Sequence, residues 1–146
     1  MTLLLAHLPT SRVVAFEPVP PSFARLQHCV AAAWGGEIPS HVTLRREALS
    51  DRSGPATIAV PRVNAELQDE WASIVKDYAA LRQADPRIEA IETWSVPVLR
   101  LDDADIADVT ALKMDIEGAE LEVLHGASAT LLRWRPSRSI EIEERH

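Results

Sequence analysis

The stretch LKMDIEGAELEVLHGA, residues 112–127, runs from an apolar segment through two acids and a glycine into a helical repeat. A related order of apolar run, acid and helix appears earlier in the chain. RVVAF at 12–16 is β-branched and aromatic, and EPVPP closes it where no helix could continue. Beyond those prolines Phe23, Leu26, Val30 and Ala33 repeat at helical spacing, and the glycines at 35–36 end the helix. Strands alternating with helices, in runs too apolar for a one-sided sheet, predict an α/β domain with a largely parallel sheet. Ligands in such sheets bind beyond the carboxyl ends of the strands.

Between and after these units the pattern is less regular. A second strand is expected at 42–48, where Val42 and Leu44 alternate with polar residues. SDRSG at 50–54 reads as a turn, and ATIAV at 56–60 as a hairpin strand before Pro61. In ELQDEWASIVKDYAALRQ, Leu67, Trp71, Ile74, Tyr78 and Leu81 fall on one helical stripe. That predicts an amphipathic helix packed on the core, with a mobile cap over a site as the alternative. WSVPVLRL at 94–101 reads as a strand, after which Asp102 or Asp103 could cap a short helical turn. ALKMDI at 111–116 reads as a third buried strand, followed by a helix from Gly118 that Gly126 breaks and a short helical piece to Arg135. After Pro136, SRSIEIEE alternates as a final strand.

Composition narrows the function classes. The 146 residues are read as one domain, residues 1–146, and 47% are hydrophobic, enough for a core. A net charge of −7 argues against binding duplex nucleic acid, which requires a basic face. The single Cys29 has no partner for an internal disulfide, so a reducing cytoplasm is the default location. No Cys/His cluster has zinc spacing, and although the acid cluster leaves room for a metal, no ligand set demands one. The opening MTLLLAHLP lacks a basic leader and is shorter than the roughly 20 residues of a spanning helix, so it reads as the end of a buried helix.

The acids carry the functional signal. Glu17 ends a strand where nucleotide-binding α/β folds place an acid, since a carboxylate accepts hydrogen bonds from two vicinal ribose hydroxyls. An exposed loop acid is the alternative. Asp115 and Glu117 have period-two spacing and would point to one side of an extended strand end. Gly118 frees the backbone for a tight turn and a close ligand approach. Acids also favour a helix start by ~0.3–1 kcal/mol each, but three within six residues, counting Glu120, exceed that need. Two close carboxylates would raise the proton affinity of one, as a general base or metal ligand requires. Glu141, Glu143 and Glu144 read as the polar face and end of an edge strand, and His125 as packing or capping. Neither Ser nor Cys has a nucleophile setting.

VVAFEPVP at 13–20, EALSDRSGPATIAV at 47–60, VPVLRLDD at 96–103 and LKMDIEGAELEVLHGA with RP at 135–136 and IEIEE at 140–144 resemble, in that order, segments of the FkbM-type methyltransferases. The resemblance implies a Rossmann-like class I methyltransferase fold and transfer of a methyl group from S-adenosylmethionine (SAM), usually to a hydroxyl oxygen. It implies that Glu17 holds the SAM ribose, that Glu47 and Ala48 lie by the adenine, and that Asp115 and Glu117 face the methyl group and the acceptor. The acceptor class is a small molecule or glycan (a sugar, natural-product or lipid-headgroup hydroxyl), and a homo-oligomer is an open alternative.

The chain also departs from the family pattern. The family's first strand with its glycine loop and its C-terminal strands have no counterpart in the 146 residues, so the fold is expected to be incomplete and the chain alone to bind SAM poorly or not at all. A non-catalytic remnant serving as an interaction module is the competing reading, and a different nucleotide-binding α/β protein ranks below it.

Overall fold

The run before the prolines is a strand, β1 (Val13–Phe16), in the computed structural model, which describes residues 11–68, 71–74, 80, 82–83, 85–116 and 118–141. The chain divides into two compact units, Met1–Ala48 and Leu49–His146. In the first, β1 pairs in parallel with β2 (Val42–Arg45), in a register running from Val13↔Val42 to Phe16↔Arg45. Helix α1 (Pro20–Ala33) is the crossover between them. It begins at a proline, which has no N–H to leave unsatisfied in a first turn. It ends where the Gly36 N–H donates to Ala31 O at 2.8 Å, with Gly35 and Gly36 at φ +72° and +106°. Val13, Val30 and Val42 form the core of this unit, with Leu26, Trp34 and Leu44 packed against it. Each buried aliphatic side chain is worth ~1.5–3 kcal/mol.

The expected strand at 42–48 is shorter than its alternation suggests. Pairing with β1 stops at Arg45, and Ala48–Leu49 is a separate strand, β3, inside which the boundary between the units falls. β3 belongs to a four-stranded sheet of order β3-β6-β4-β5, made with β4 (Gly54–Val63), β5 (Glu66–Leu67) and β6 (Ile88–Leu99).

β4 and β6 form a long antiparallel ladder from Gly54↔Val98 to Arg62↔Ala90, so the hairpin strand at 56–60 finds its partner at 92–96, well beyond any hairpin loop. Ile58 and Val60 share one face of this ladder with Val96 and Val98, and all four are buried. The same face carries the ion pair between Arg62 and Glu92.

The amphipathic helix expected from Leu67 onward does not form over its first turns. Asn64 and Ala65, at φ +52° and +62°, turn the chain so that Val63 pairs with Glu66 and Arg62 with Leu67. Positive φ at both central residues is the two-residue hairpin geometry that follows strand twist. Ser73 then bridges to Ala59, exchanging two backbone hydrogen bonds of 3.0 Å. Backbone pairing with β4 overrides the local helical stripe here. Tyr78 and Leu81 lie outside the described residues, and Ala80, Arg82 and Gln83 are helical.

β7 (Ala111–Asp115) pairs in parallel with β8 (Ser137–Glu141), in register from Ala111↔Ser137 to Asp115↔Glu141. Of its five residues only Met114 is buried, which corrects the expectation of a buried strand. The largely parallel sheet is corrected too. Among the described residues, parallel pairing is confined to two two-stranded sheets, and the long ladder is antiparallel. The architecture is α/β with mixed sheets. Helices α2 (Glu120–Gly126) and α3 (Ser128–Trp134) fill the interval between β7 and β8, with the buried Ala127 at their junction.

Asp102 does cap a helix, but a distant one. A 3-10 turn at Leu101–Asp103 has no side-chain cap of its own. Instead the Asp102 carboxylate accepts the N–H groups of Thr130 at 2.8 Å and Ala129 at 3.0 Å, satisfying the first turn of α3, while Arg100 donates to it at 3.1 Å. Burial pushes this carboxyl up, but the Thr130 and Ala129 N–H bonds and the Arg100 charge outweigh it and hold it below the usual range. Asp102→Ala should therefore cost about 1–2 kcal/mol in urea unfolding at neutral pH. A depressed carboxyl contributes its stability above the unfolded value of 3.8 and loses it as pH falls through the folded value. The gap between mutant and wild type should accordingly narrow in acid. A gap independent of pH would assign the loss to packing.

Candidate functional site

In the first unit the candidate residues gather at the carboxyl ends of the two parallel strands. Glu17 directly follows β1, and its N–H donates to Arg45 O at 3.0 Å, which continues the ladder one residue beyond Phe16. Its Oε1 accepts the N–H of Val19 at 2.9 Å, so the PVP segment folds back to fix the carboxylate. The side chain is half-buried. Burial raises its proton affinity above the ordinary glutamate value, against the Val19 N–H and the Arg25 charge, which lower it. One lone-pair site is occupied by Val19, and an ionised carboxylate has about four, so capacity for two further hydroxyl donors remains.

The register Phe16↔Arg45 brings a cation to this end of the sheet. The Arg45 guanidinium lies 5.2 Å from the centre of the Phe16 ring and its Nε donates to Glu47 Oε2 at 2.5 Å. A charge-assisted bond combined with a ring face fixes both side chains. Glu47 is thus held by Arg45, and the next residue, Ala48, is buried. Arg45 was missed by sequence reasoning. Its signal, a basic residue at the end of the alternating strand, acquires meaning only through the strand register.

In the second unit Asp115 is the last residue of β7 and is exposed. Lys113, two residues earlier on the same side of the strand, places Nζ 2.5 Å from Asp115 Oδ2. The register sets Glu141 directly opposite Asp115, so an acid read as the polar face of an edge strand stands beside the candidate site. Glu117 lies outside the described residues. Glu120 differs from Asp115 in kind: it is buried, and its Oε1 accepts the N–H of Gly118 at 3.1 Å. Gly118 itself has φ +83°, the left-handed conformation that glycine takes without strain. The acids counted together in the sequence therefore divide into an exposed one at a strand end and a buried one at a helix start. His125 is exposed in the last turn of α2.

Glu17, Glu47 and Ala48 belong to the first unit and Asp115 to the second. Among the described residues no group of three or more His, Cys, Asp or Glu could hold a metal ion, and no helix is long and apolar enough to cross a membrane. The family model described as the methyltransferase FkbM domain matches residues 2–146. No curated protein and no solved structure gives a match to the chain.

Proposed function

Because the chain belongs to the FkbM methyltransferase domain family, we propose that it is a SAM-dependent methyltransferase with a Rossmann-like arrangement, acting on a hydroxyl oxygen of a small molecule or glycan in the cytoplasm. The observation that carries this reading is Glu17: a half-buried carboxylate beyond a parallel strand, oriented by Val19 and with acceptor capacity to spare. Such a group fits a vicinal diol, and the ribose of SAM is one. Buried, small Ala48 suits the flat adenine, and Glu47, steadied by Arg45, supplies an acceptor for its amino group.

When bound, the cofactor supplies an electrophilic methyl group on a cationic sulfonium. Asp115 then serves as the base that takes the proton of the acceptor hydroxyl, with Glu117 as its companion. Lys113 restricts the Asp115 side chain to one direction, so the base meets the hydroxyl pre-oriented. The same reading leaves the exposed acids of this end of the sheet unsuited to nucleic acid, in keeping with the net charge of −7.

The test is a titration of the full chain with SAM followed by NMR, which registers weak as well as tight binding, together with transfer of labelled methyl groups to a panel of hydroxyl acceptors. Saturable shifts around Glu17 are the expected result, and in Asp115→Asn methyl transfer should fall on the order of a hundredfold or more. Absence of any SAM-dependent shift would overturn the reading. Full transfer by Asp115→Asn would remove Asp115 from the chemistry.

A further inference from the structure

Glu120 is the buried ionisable side chain for which the reaction has no use. It opens α2, its residue exposure is 6%, and a carboxylate is costly to bury unless it is hydrogen-bonded. Helix capping does not account for it, because the bond it makes runs backward, out of the helix, to the N–H of Gly118. That N–H is already served by Ile116 O at 2.9 Å. The carboxylate therefore rescues no orphaned donor. It adds a second anchor to Gly118, which among the described residues between the end of β7 and the start of α2 is the one at positive φ.

Asp115 stands three residues before that anchor, at the free end of a strand with a single buried side chain. Its neighbours in the ladder hold its backbone from one side, through Glu141. From the other side, the chain is held by the buried Glu120–Gly118 bond. We infer that Glu120 is a positioning residue: by pinning Gly118 it sets the direction in which the chain leaves β7, and so where Asp115 stands toward cofactor and acceptor. This rests on the methyltransferase reading above, and it assigns Glu120 a part in the site that it does not touch.

The experiment compares wild type with Glu120→Ala, Glu120→Gln and Glu120→Asp. Glutamine keeps an acceptor oxygen at the same reach, whereas aspartate keeps the charge but withdraws it by one methylene. Amide exchange at Gly118 and SAM affinity are both read by NMR, with thermal midpoints alongside. The expected result is exchange at Gly118 about tenfold faster in the alanine and aspartate variants, as loss of a buried hydrogen bond implies. SAM affinity should fall about fivefold or more in the same two, the scale of coupling between neighbouring groups. Glutamine should restore both. Should alanine fail to fold, aspartate against glutamine gives the same comparison. Unchanged Gly118 exchange, or SAM affinity that follows the thermal midpoint alone, overturns the inference while the methyltransferase reading stands. If wild type itself shows no SAM binding, the methyltransferase reading fails and the inference with it, and the exchange data then assign Glu120 to the fold alone.

Discussion

Replacing Gly126 with alanine is expected to lower the thermal midpoint by roughly 4–12 °C, although alanine is the better helix former. Helix propensity alone favours alanine over glycine by about 1 kcal/mol. At the last residue of α2, however, a Cβ would stand 1.9 Å from Ser50 O, 2.9 Å from Ser50 C and 3.2 Å from Asp51 Cα. All three are backbone atoms, so no side chain can swing away. Ser50 is buried and its N–H is bonded to Leu99 O at 3.0 Å, which ties the obstructing segment to β6. Overpacking of this kind costs about 1–3 kcal/mol and sometimes more. Contact this short belongs at or beyond the upper end, leaving a net loss of about 2–3 kcal/mol at about 2–4 °C per kcal/mol. Gly35→Ala is the control. Nothing lies within 4 Å of its Cβ position, and only its φ of +72° opposes a side chain, at ~1–2 kcal/mol. The decisive quantity is the sign at Gly126. A raised midpoint would mean that propensity governs and that the close approach to Ser50 relaxes.

Gly126 also shows where reading the chain by eye stops. As punctuation between two helices it was legible, and α2 does end there. Its physical reason, room for the backbone of Ser50, depends on a contact more than seventy positions away that no local pattern encodes. The bounds of helix α1 were legible because its signals are local: prolines at the start, Leu26 and Val30 on the core stripe, glycines at the end, although Ala33, expected on the same stripe, is exposed. Residues 66–73 were not. Leu67, Trp71 and Ile74 satisfy a helical stripe, yet Glu66–Leu67 and Ser73 pair with β4. The turn that makes this happen is Asn64–Ala65, which lacks the glycine that would have announced it.

Strand partners were equally hidden, since strands of four or five residues state which face they bury and not beside whom they lie. At the site, Glu17 could be found from an acid placed between an apolar run and prolines. Arg45 and Glu141 could not, because each reaches its place through a register. Local pattern marks Asp102 or Asp103 as a cap for the turn beside them, whereas the hydrogen bonds of Asp102 go to Ala129 and Thr130.

Glu17→Gln should separate binding from stability, moving the two in opposite directions at neutral pH. Glutamine has nearly the same shape and keeps an oxygen for the Val19 N–H, so the fold should be preserved. What it lacks is the charge that strengthens bonds to ribose hydroxyls. A hydrogen bond to a charged group is worth ~1.5–3 kcal/mol, so SAM affinity should fall roughly tenfold to a hundredfold. Stability follows from the raised proton affinity of Glu17, which burial causes. The native state holds this proton more tightly than the unfolded chain does. The contribution of the group is therefore full below the unfolded value of 4.5 and is lost as pH rises through the folded value. At pH 7 the wild type carries a partly buried charge that glutamine removes, so the mutant should melt slightly higher. Below about pH 4.5 the two should converge, because both side chains are then neutral. A gain in stability paired with a loss of SAM affinity is the signature of a residue kept for its ligand. If glutamine instead lowers the midpoint at pH 7 and leaves SAM affinity unchanged, the Val19 and Arg25 interactions outweigh burial, and Glu17 serves the turn after β1 and not a ribose.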